Sequence, residues 1–307
     1  MTWYDELDKW TADYLPDMPY EHDVPLSRYT SFRIGGPARR MAFPQNGEQL
    51  ILLLSRAREL SARPFVLGNG TNLLFPDAGV DRLVIHTRDM NRVACVESDP
   101  CCLRAESGAS LARVAMSACK LGLTGLEFAH GIPGSVGGAV CMNAGAYGGE
   151  MSQVVSSAAV LFPDEGIRTL TGETLGFSYR HSLLTDRPDG VVLSAVFRLQ
   201  SGDPAAIKAR MDELMARRKT SQPLEYPSAG STFKRPEGHY AAALIDQCGL
   251  KGLTVGGAQV SEKHAGFVIN TGRATCDDVT ALMAEIQARV LAATGVRLDP
   301  EVKIVEP

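Results

Sequence analysis

The sequence predicts an α+β protein, and three observations predict it. Strand-like and helix-like segments alternate between residues 38 and 87. Residues 92–107 and 153–200 read mostly as strands, and two long helical patterns with short strands between them follow residue 201. The 307 residues suffice for two or three domains, and 45% hydrophobic with 21% charged residues is the composition of a folded chain.

Taken in order, Trp3, Leu7, Trp10 and Tyr14 recur on one face of a short amphipathic helix. ARRMAFP reads as a strand, and NGEQLILLLSRARELSA as a helix with Asn46 as N-cap and Gln49 three positions on. PFVLG and RLVIHT follow as strands, which makes a β-α-β-like opening. RVACVES and CLRAESG are short strands, and a helix starts at Ser110. QVVSSAAVLFP and VVLSAVFRLQ are the clearest later strands. SGDP at 201–204 carries turn and cap chemistry and marks a boundary near 201. Beyond it, DPAAIKARMDELMARR and DDVTALMAEIQARVLAATG read as helices, the second closed by Gly295, with strands GAQVS and GFVIN between them.

Composition narrows the function. A net charge of -4 argues against broad electrostatic binding to nucleic acid. No apolar run approaches the ~20 residues of a membrane span, and the N-terminus is acidic where a signal peptide would be basic. Seven cysteines, an odd number with one adjacent pair (Cys101-Cys102), point to a reducing compartment and hence to the cytoplasm. The six histidines show no metal-ligand spacing, so no metal site is expected. His22, His86 and His239 read as ordinary hydrogen-bonded residues, and the Arg217, Arg218, Lys219 run as a solvated helix end.

Two glycine-rich stretches stand apart: LGNGTNLL at 67–74 and GIPGSVGGAVCMNAGAYGGE at 131–150, with seven glycines in twenty residues. Backbone N–H groups kept clear of side chains make an anion site, although tight turns and close packing also collect glycine. Leu73 stands where the dinucleotide fingerprint needs its third glycine, and Pro76 argues against the long helix that must follow. No G-K-[ST] occurs, so a P-loop is excluded. The residues alone point to a dinucleotide or diphosphate without choosing between them. Three further segments are polar: Arg180 in FSYRHS, Ser231 in YPSAGSTFKRP and Glu301 in RLDPEVKIVE. Singly, these read as a surface arginine, a turn serine and an exposed glutamate.

In order along the chain, TSFRIGGPA, LGNGTNLL, GLEFAHGIPGSVGGAVCMNAGAYGGE, SYRHS, PSAGSTFKRP and DPEVKIVE resemble the UDP-N-acetylenolpyruvoylglucosamine reductases, from about residue 27 to the C-terminus. The resemblance implies noncovalent FAD as cofactor and NADPH as hydride donor. It implies an FAD-binding fold of the vanillyl-alcohol-oxidase type in two subdomains, 1–88 (completed by 297–307) and 89–200, with a substrate-binding α+β domain at 201–296. Gly68, Asn69, Gly70, Thr71 and Asn72 would supply one set of N–H groups to the cofactor. Gly131, Gly134, Gly137 and Gly138, with Ile132, Pro133 and Ser135 in the same loop, would admit its diphosphate and ring system. Asn143, Ala144, Gly145, Ala146 and Tyr147 would line the flavin, and Arg33 would lie near it.

The same resemblance makes Arg180 the partner of the substrate carboxylate, Ser231 the proton donor and Glu301 the carboxylate beside it. Tyr179 and Lys219 match diphosphate contacts, and Gln259, His264 and Asn270 fall in the segment facing the nucleotide. The short connection from Arg180 to Ser231 resembles the subclass without a tyrosine-bearing loop insertion. His130 departs from the small residue usual before GIPG, which makes covalent flavin attachment a point to test. Rival readings are another FAD-dependent oxidoreductase of this fold acting on a hydroxy acid or alcohol, and a sugar-nucleotide binding protein without redox chemistry.

Overall fold

The structure, a computed structural model, describes residues 2–307. The first helix, Trp3–Tyr14, opens on a reciprocal cap between Thr2 and Asp5. Leu7 and Thr11 are buried, and Trp3 and Trp10 pack against the same core. Tyr14 departs from the expected face: it is 68% exposed and stacks on Trp10, because the helix ends there and Leu15 takes the core position.

The helix Gly47–Glu59 is capped by Asn46, which accepts from the Gln49 amide at 3.0 Å. Gln49 returns its carbonyl to the Gln45 amide at 2.8 Å, so the second half of the cap closes one residue early. Leu50, Leu53, Leu54 and Ala57 form its buried stripe. The strand Phe65–Leu67 then runs parallel to the end of Val80–His86, with Val66 opposite Ile85.

The chain forms two compact units. The first comprises residues 1–20, 41–69 and 83–218, the second 21–40, 70–82 and 219–307. The first unit carries two cores. One gathers residues 7–90 with Leu161 and Val191, the other residues 103–211. The latter lies on an antiparallel five-stranded sheet in the order Gly166–Thr171, Val155–Phe162, Val191–Arg198, Asp99–Glu106, Val93–Val96. Ala195 and Phe197 face Ala105 and Leu103 in register, so the core face alternates as a half-buried sheet requires. The short helix Val136–Cys141 packs on Val191–Arg198, which fixes the glycine-rich stretch to the sheet. Asp203 caps the helix Pro204–Ser221 by accepting from the amides of Ala205 and Ala206, at 3.1 and 3.3 Å.

In the second unit the strands Thr254–Val255, Ala258–Val260 and Val268–Asn270 form an antiparallel sheet. The helix Cys276–Thr294 packs on it, opened by a Thr275–Asp278 capping box and closed by Gly295 at φ +73°. Leu73–Leu74 is a strand, as Pro76 allows, and pairs in parallel with Lys303–Ile304. Glu301 lies two residues before that C-terminal strand.

One buried histidine sets a pH limit on this fold. His86 accepts from the Arg88 amide through Nδ1 at 3.1 Å and stacks on Phe43, over which the Arg88 guanidinium also sits at 4.0 Å. Burial first, and then the charge of Arg88, lower its pKa to about 4. The unfolded chain therefore takes up this proton near pH 6.5 and the folded one only near 4. Stability should fall as pH drops through that window, by at most about 3 kcal/mol from this group. Urea unfolding between pH 7 and 4 checks it: His86→Gln should flatten that part of the stability curve, and an unchanged slope would place the loss elsewhere.

Candidate active site

The glycine-rich stretch of the first unit is held by its neighbours at defined points. Asn69 donates to the Pro133 carbonyl at 2.9 Å, and Ser110 and Ser135 bridge as strand partners. Gly137 donates to the Ser107 carbonyl at 2.8 Å. The glycines divide by what surrounds them. A Cβ on Gly68 would collide with Ser135 Oγ, and one on Gly145 would fall 2.7 Å from the Gly149 carbonyl, so these two are glycine because protein approaches. At Gly134 the nearest atoms to such a Cβ are 3.8 Å away, and at Gly138 3.5 Å. Neither glycine has a positive φ. Protein sterics do not account for glycine at these two positions.

Two tight hairpins stand beside this loop. Gly145–Ala146 pairs with Gly149–Glu150 across Tyr147 and Gly148, at φ +55° and +86°, the values of a type I′ turn. Ser178 and His181 exchange hydrogen bonds at 3.1 Å around Tyr179 and Arg180, with Arg180 at φ +55°. Turns of this shape favour glycine or asparagine at the left-handed position, so tyrosine and arginine there hold backbone strain. Seven non-glycine residues have positive φ among those described, and Arg33, Asn143, Tyr147 and Arg180 are four of them. Strain of that kind gathers where a side chain must be aimed.

Asn143 joins the hairpins. Its Nδ2 donates to the Ser178 carbonyl at 3.0 Å and its Oδ1 accepts from the Ser152 amide at 2.9 Å. Both Nη atoms of Arg180 lie 3.5 Å from the Gly145 carbonyl, too long to bind it strongly. Tyr179 is half exposed, and the Arg180 guanidinium sits 5.4 Å from its ring centre.

In the second unit, Ser231 and Glu301 belong to adjacent backbone. Gly230 turns at φ +76° into Ser231, and the Thr232 carbonyl accepts from the Glu301 amide at 2.8 Å. Thr232 is pinned on its other sides by the Gly266 carbonyl at 2.9 Å and the Val268 amide at 3.0 Å. Asn72 donates to the Glu301 carbonyl at 3.0 Å, tying the LGNGTN segment to it. Gly70 packs its backbone on Tyr29 and Thr30, next to Thr71. Asn270 is 4% exposed, and its amide serves the Phe32 carbonyl and the amides of Gly272 and Ala274. It thereby fixes the turn in which Arg33, exposed at φ +56°, lies between the core residues Phe32 and Ile34.

His264 belongs to the same network, its Nδ1 accepting from the Gly266 amide at 3.1 Å. Burial holds its pKa below the ordinary histidine value, with the charge of Lys251 adding to that. Gln259 donates to Thr254 Oγ1 at 3.1 Å, and the carbonyl of exposed Lys219 accepts from Lys263 Nζ at 2.8 Å. Neither of these bonds joins Gln259 or Lys219 to Ser231 or Glu301.

Residues 222–305 match the model of the UDP-N-acetylenolpyruvoylglucosamine reductase C-terminal domain, and residues 38–171 match an FAD binding domain. The chain is similar to UDP-N-acetylenolpyruvoylglucosamine reductases of Pediococcus pentosaceus (47% identical over 299 residues, 97% of this chain and 98% of the relative) and Levilactobacillus brevis (48% over 294 residues, 96% and 95%). The chain belongs to the UDP-N-acetylenolpyruvoylglucosamine reductase family. Among solved structures, the UDP-N-acetylenolpyruvylglucosamine reductase of Thermus caldophilus aligns with a TM-score of 0.80 at 36% identity, over 94% of this chain and all of that one. An alkyldihydroxyacetonephosphate synthase aligns with 64% of this chain and 40% of its own, TM-score 0.50 at 17% identity, a likeness of fold alone. The FAD-binding part of this reductase family has the vanillyl-alcohol-oxidase type of fold, within a mixed α+β chain.

The residues present fit such a group. Six buried side-chain nitrogen or oxygen atoms lack a hydrogen-bond partner among the described residues, and four of them surround the glycine-rich stretch. They are Ser107 Oγ, His130 Nδ1, Tyr147 Oη and Arg218 Nε. Buried polar atoms are satisfied almost everywhere in folded proteins, so four together mark a polar ligand's place. Sequence reasoning passed over Ser107 and Arg218. Arg218 had a readable signal: it follows Ile207, Met211 and Leu214, the buried residues of its helix, at helical spacing. No helix among the described residues is long and apolar enough to cross a membrane, and no cluster of metal-ligating side chains occurs among them.

Proposed function

We propose that this protein reduces the enolpyruvyl ether of UDP-N-acetylenolpyruvoylglucosamine to UDP-N-acetylmuramate, with NADPH as hydride donor and noncovalent FAD, in the cytoplasmic synthesis of peptidoglycan precursors. The observation that carries the reading is near-full-length likeness to reductases of that name. Bound FAD would supply a two-electron relay, accepting hydride from NADPH and delivering it to the terminal carbon of the enol ether.

The chain's own residues do the rest. Arg180, aimed by its strained hairpin, pairs its planar fork with the substrate carboxylate and stabilises the negative charge that develops beside it. Ser231 gives a proton to the carbon next to that carboxylate, and Glu301 works from the adjoining backbone. Gly68, Asn69, Gly70, Thr71 and Asn72, with residues 131–138 and 143–147, hold the cofactor, and Arg33 lies near it. Tyr179 and Lys219 contact the diphosphate and Gln259 and His264 face the nucleotide, while Asn270 acts by fixing the Arg33 turn. The family resemblance divides the chain into two FAD-binding subdomains (1–88 with 297–307, and 89–200) and a substrate domain (201–296) of the shorter subclass, whereas Phe32, Ile34, Leu74, Leu298 and Val302 share one core with residues of the substrate domain. Free cysteines throughout the chain are in keeping with the cytoplasm.

Purified protein should be yellow, bleach under anaerobic NADPH, and regain colour when UDP-N-acetylenolpyruvoylglucosamine is added. A bleached protein that this substrate leaves colourless would sink the reading. Acid precipitation should release all the colour into the supernatant, whereas colour held in the pellet and lost in His130→Ala would mean a histidyl linkage.

The glycine loop yields its own expectation. A Cβ at Gly134 meets no protein atom closer than ordinary contact and φ there is not positive, so Gly134→Val should keep the fold. It should lose FAD, because the added methyls occupy the space of the cofactor. Circular dichroism with flavin absorbance checks this, and full FAD occupancy would reduce Gly134 to a turn residue.

A further inference from the structure

Arg218 ends the buried stripe of the helix Pro204–Ser221, four residues beyond Leu214. Its Nη1 donates to the Gly131 carbonyl, at the head of the glycine-rich stretch, and its Nε is buried without a partner. Among the described residues no carboxylate pairs with it. The ionisable neighbour that acts on it, through a hydrogen-bonding interaction and through charge, is the phenol of Tyr147, whose oxygen has no hydrogen bond of good geometry. Arg217 lies over this aromatic ring, its guanidinium 5.1 Å from the centre. Burial holds the Arg218 guanidinium below its ordinary pKa, but arginine stays charged in proteins.

A desolvated cation with no anion beside it is costly, and removing it from a merely structural position would relieve the fold. A carbonyl and a phenol do not neutralise a full charge. We infer that Arg218, with the Tyr147 hydroxyl next to it, pairs with a negatively charged oxygen of bound FAD at the Gly131 end of the glycine loop. This rests on the flavin reading above and names a residue for it. Two oxygens of the cofactor have the required chemistry: those of the diphosphate, charged always, and the pyrimidine carbonyl of the ring, which becomes negative on reduction.

Arg218→Met keeps the apolar stem and removes the charge, while Arg218→Lys keeps the charge and loses the fork. On dilution of the yellow holoprotein, fluorescence of released FAD should give a dissociation constant roughly 10- to 100-fold weaker for Arg218→Met, the range of a charge-assisted hydrogen bond. Arg218→Lys should fall between it and the parent. Contact with the diphosphate leaves the flavin midpoint potential unchanged. Contact with the ring lowers it by about 30 mV for each tenfold by which the reduced form is weakened more than the oxidised. Should Arg218→Met fail to fold by circular dichroism, Tyr147→Phe removes one hydroxyl from the same place and should weaken FAD severalfold. A yellow parent whose Arg218→Met variant keeps both FAD affinity and potential, changing only substrate KM or melting temperature, overturns the inference. A colourless parent would instead overturn the flavin reading itself.

Discussion

Arg180→Lys should lose most of its turnover while NADPH still bleaches its flavin at the parent rate. Lysine keeps the positive charge and the length but replaces a planar fork by a point charge, so one of two parallel bonds to the substrate carboxylate is lost. A charge-assisted hydrogen bond is worth about 1.5–3 kcal/mol, hence roughly a 10- to 100-fold slower reoxidation. Arg180→Gly removes the whole contact and should cost roughly 10²- to 10³-fold, as removing an oxyanion donor does.

The hairpin supplies a control that few arginines offer. At φ +55° a residue with a Cβ holds roughly 1 kcal/mol or more of strain, which glycine does not. Arg180→Gly should therefore melt no lower than the parent, and its lost turnover is not unfolding. Thermal melts with stopped-flow traces of the two half-reactions measure both quantities on one sample. Full activity in the lysine variant would remove the carboxylate-pairing role.

What could be read beforehand follows the range of the forces involved. Asn46, Ser110, Asp203 and Gly295 are caps whose partners lie within four residues, and each stands at the helix end where its type suggests. The glycines of residues 131–150 were legible as a site, but not their division of labour. Whether Gly145 must clear the Gly149 carbonyl or Gly134 has room for a Cβ is decided by tertiary approach. The contact of Asn72 with Glu301 spans 229 residues and leaves no local trace. Arg180 at a left-handed turn position runs against turn statistics, which expect glycine or asparagine, so its hairpin was read only as a polar stretch. Arg218 was legible by its spacing from Ile207, Met211 and Leu214, yet the charge of the Arg217-Arg218-Lys219 run outweighed the periodicity.

Ser231→Ala should keep its FAD, accept hydride from NADPH at the parent rate, and stall when UDP-N-acetylenolpyruvoylglucosamine is added. The substitution deletes one oxygen. The backbone around it is fixed by Gly230 on one side and by the bonds of Thr232 to Gly266, Val268 and Glu301 on the other, none of which uses the Ser231 hydroxyl. Fold and cofactor should therefore be untouched, and any loss reports the proton. Serine is a weak acid, but the carbon it serves is strongly basic after hydride arrives, and the proton moves once over hydrogen-bond distance. Removing a general acid costs about 10²- to 10⁴-fold, or roughly 3–5 kcal/mol in the barrier to reoxidation. Ser231→Cys should recover part of that loss, since a thiol also donates a proton while leaving the turn unchanged. Stopped-flow absorbance separates the half-reactions, and a Ser231→Ala variant slowed only in flavin reduction would move the residue to the nicotinamide step.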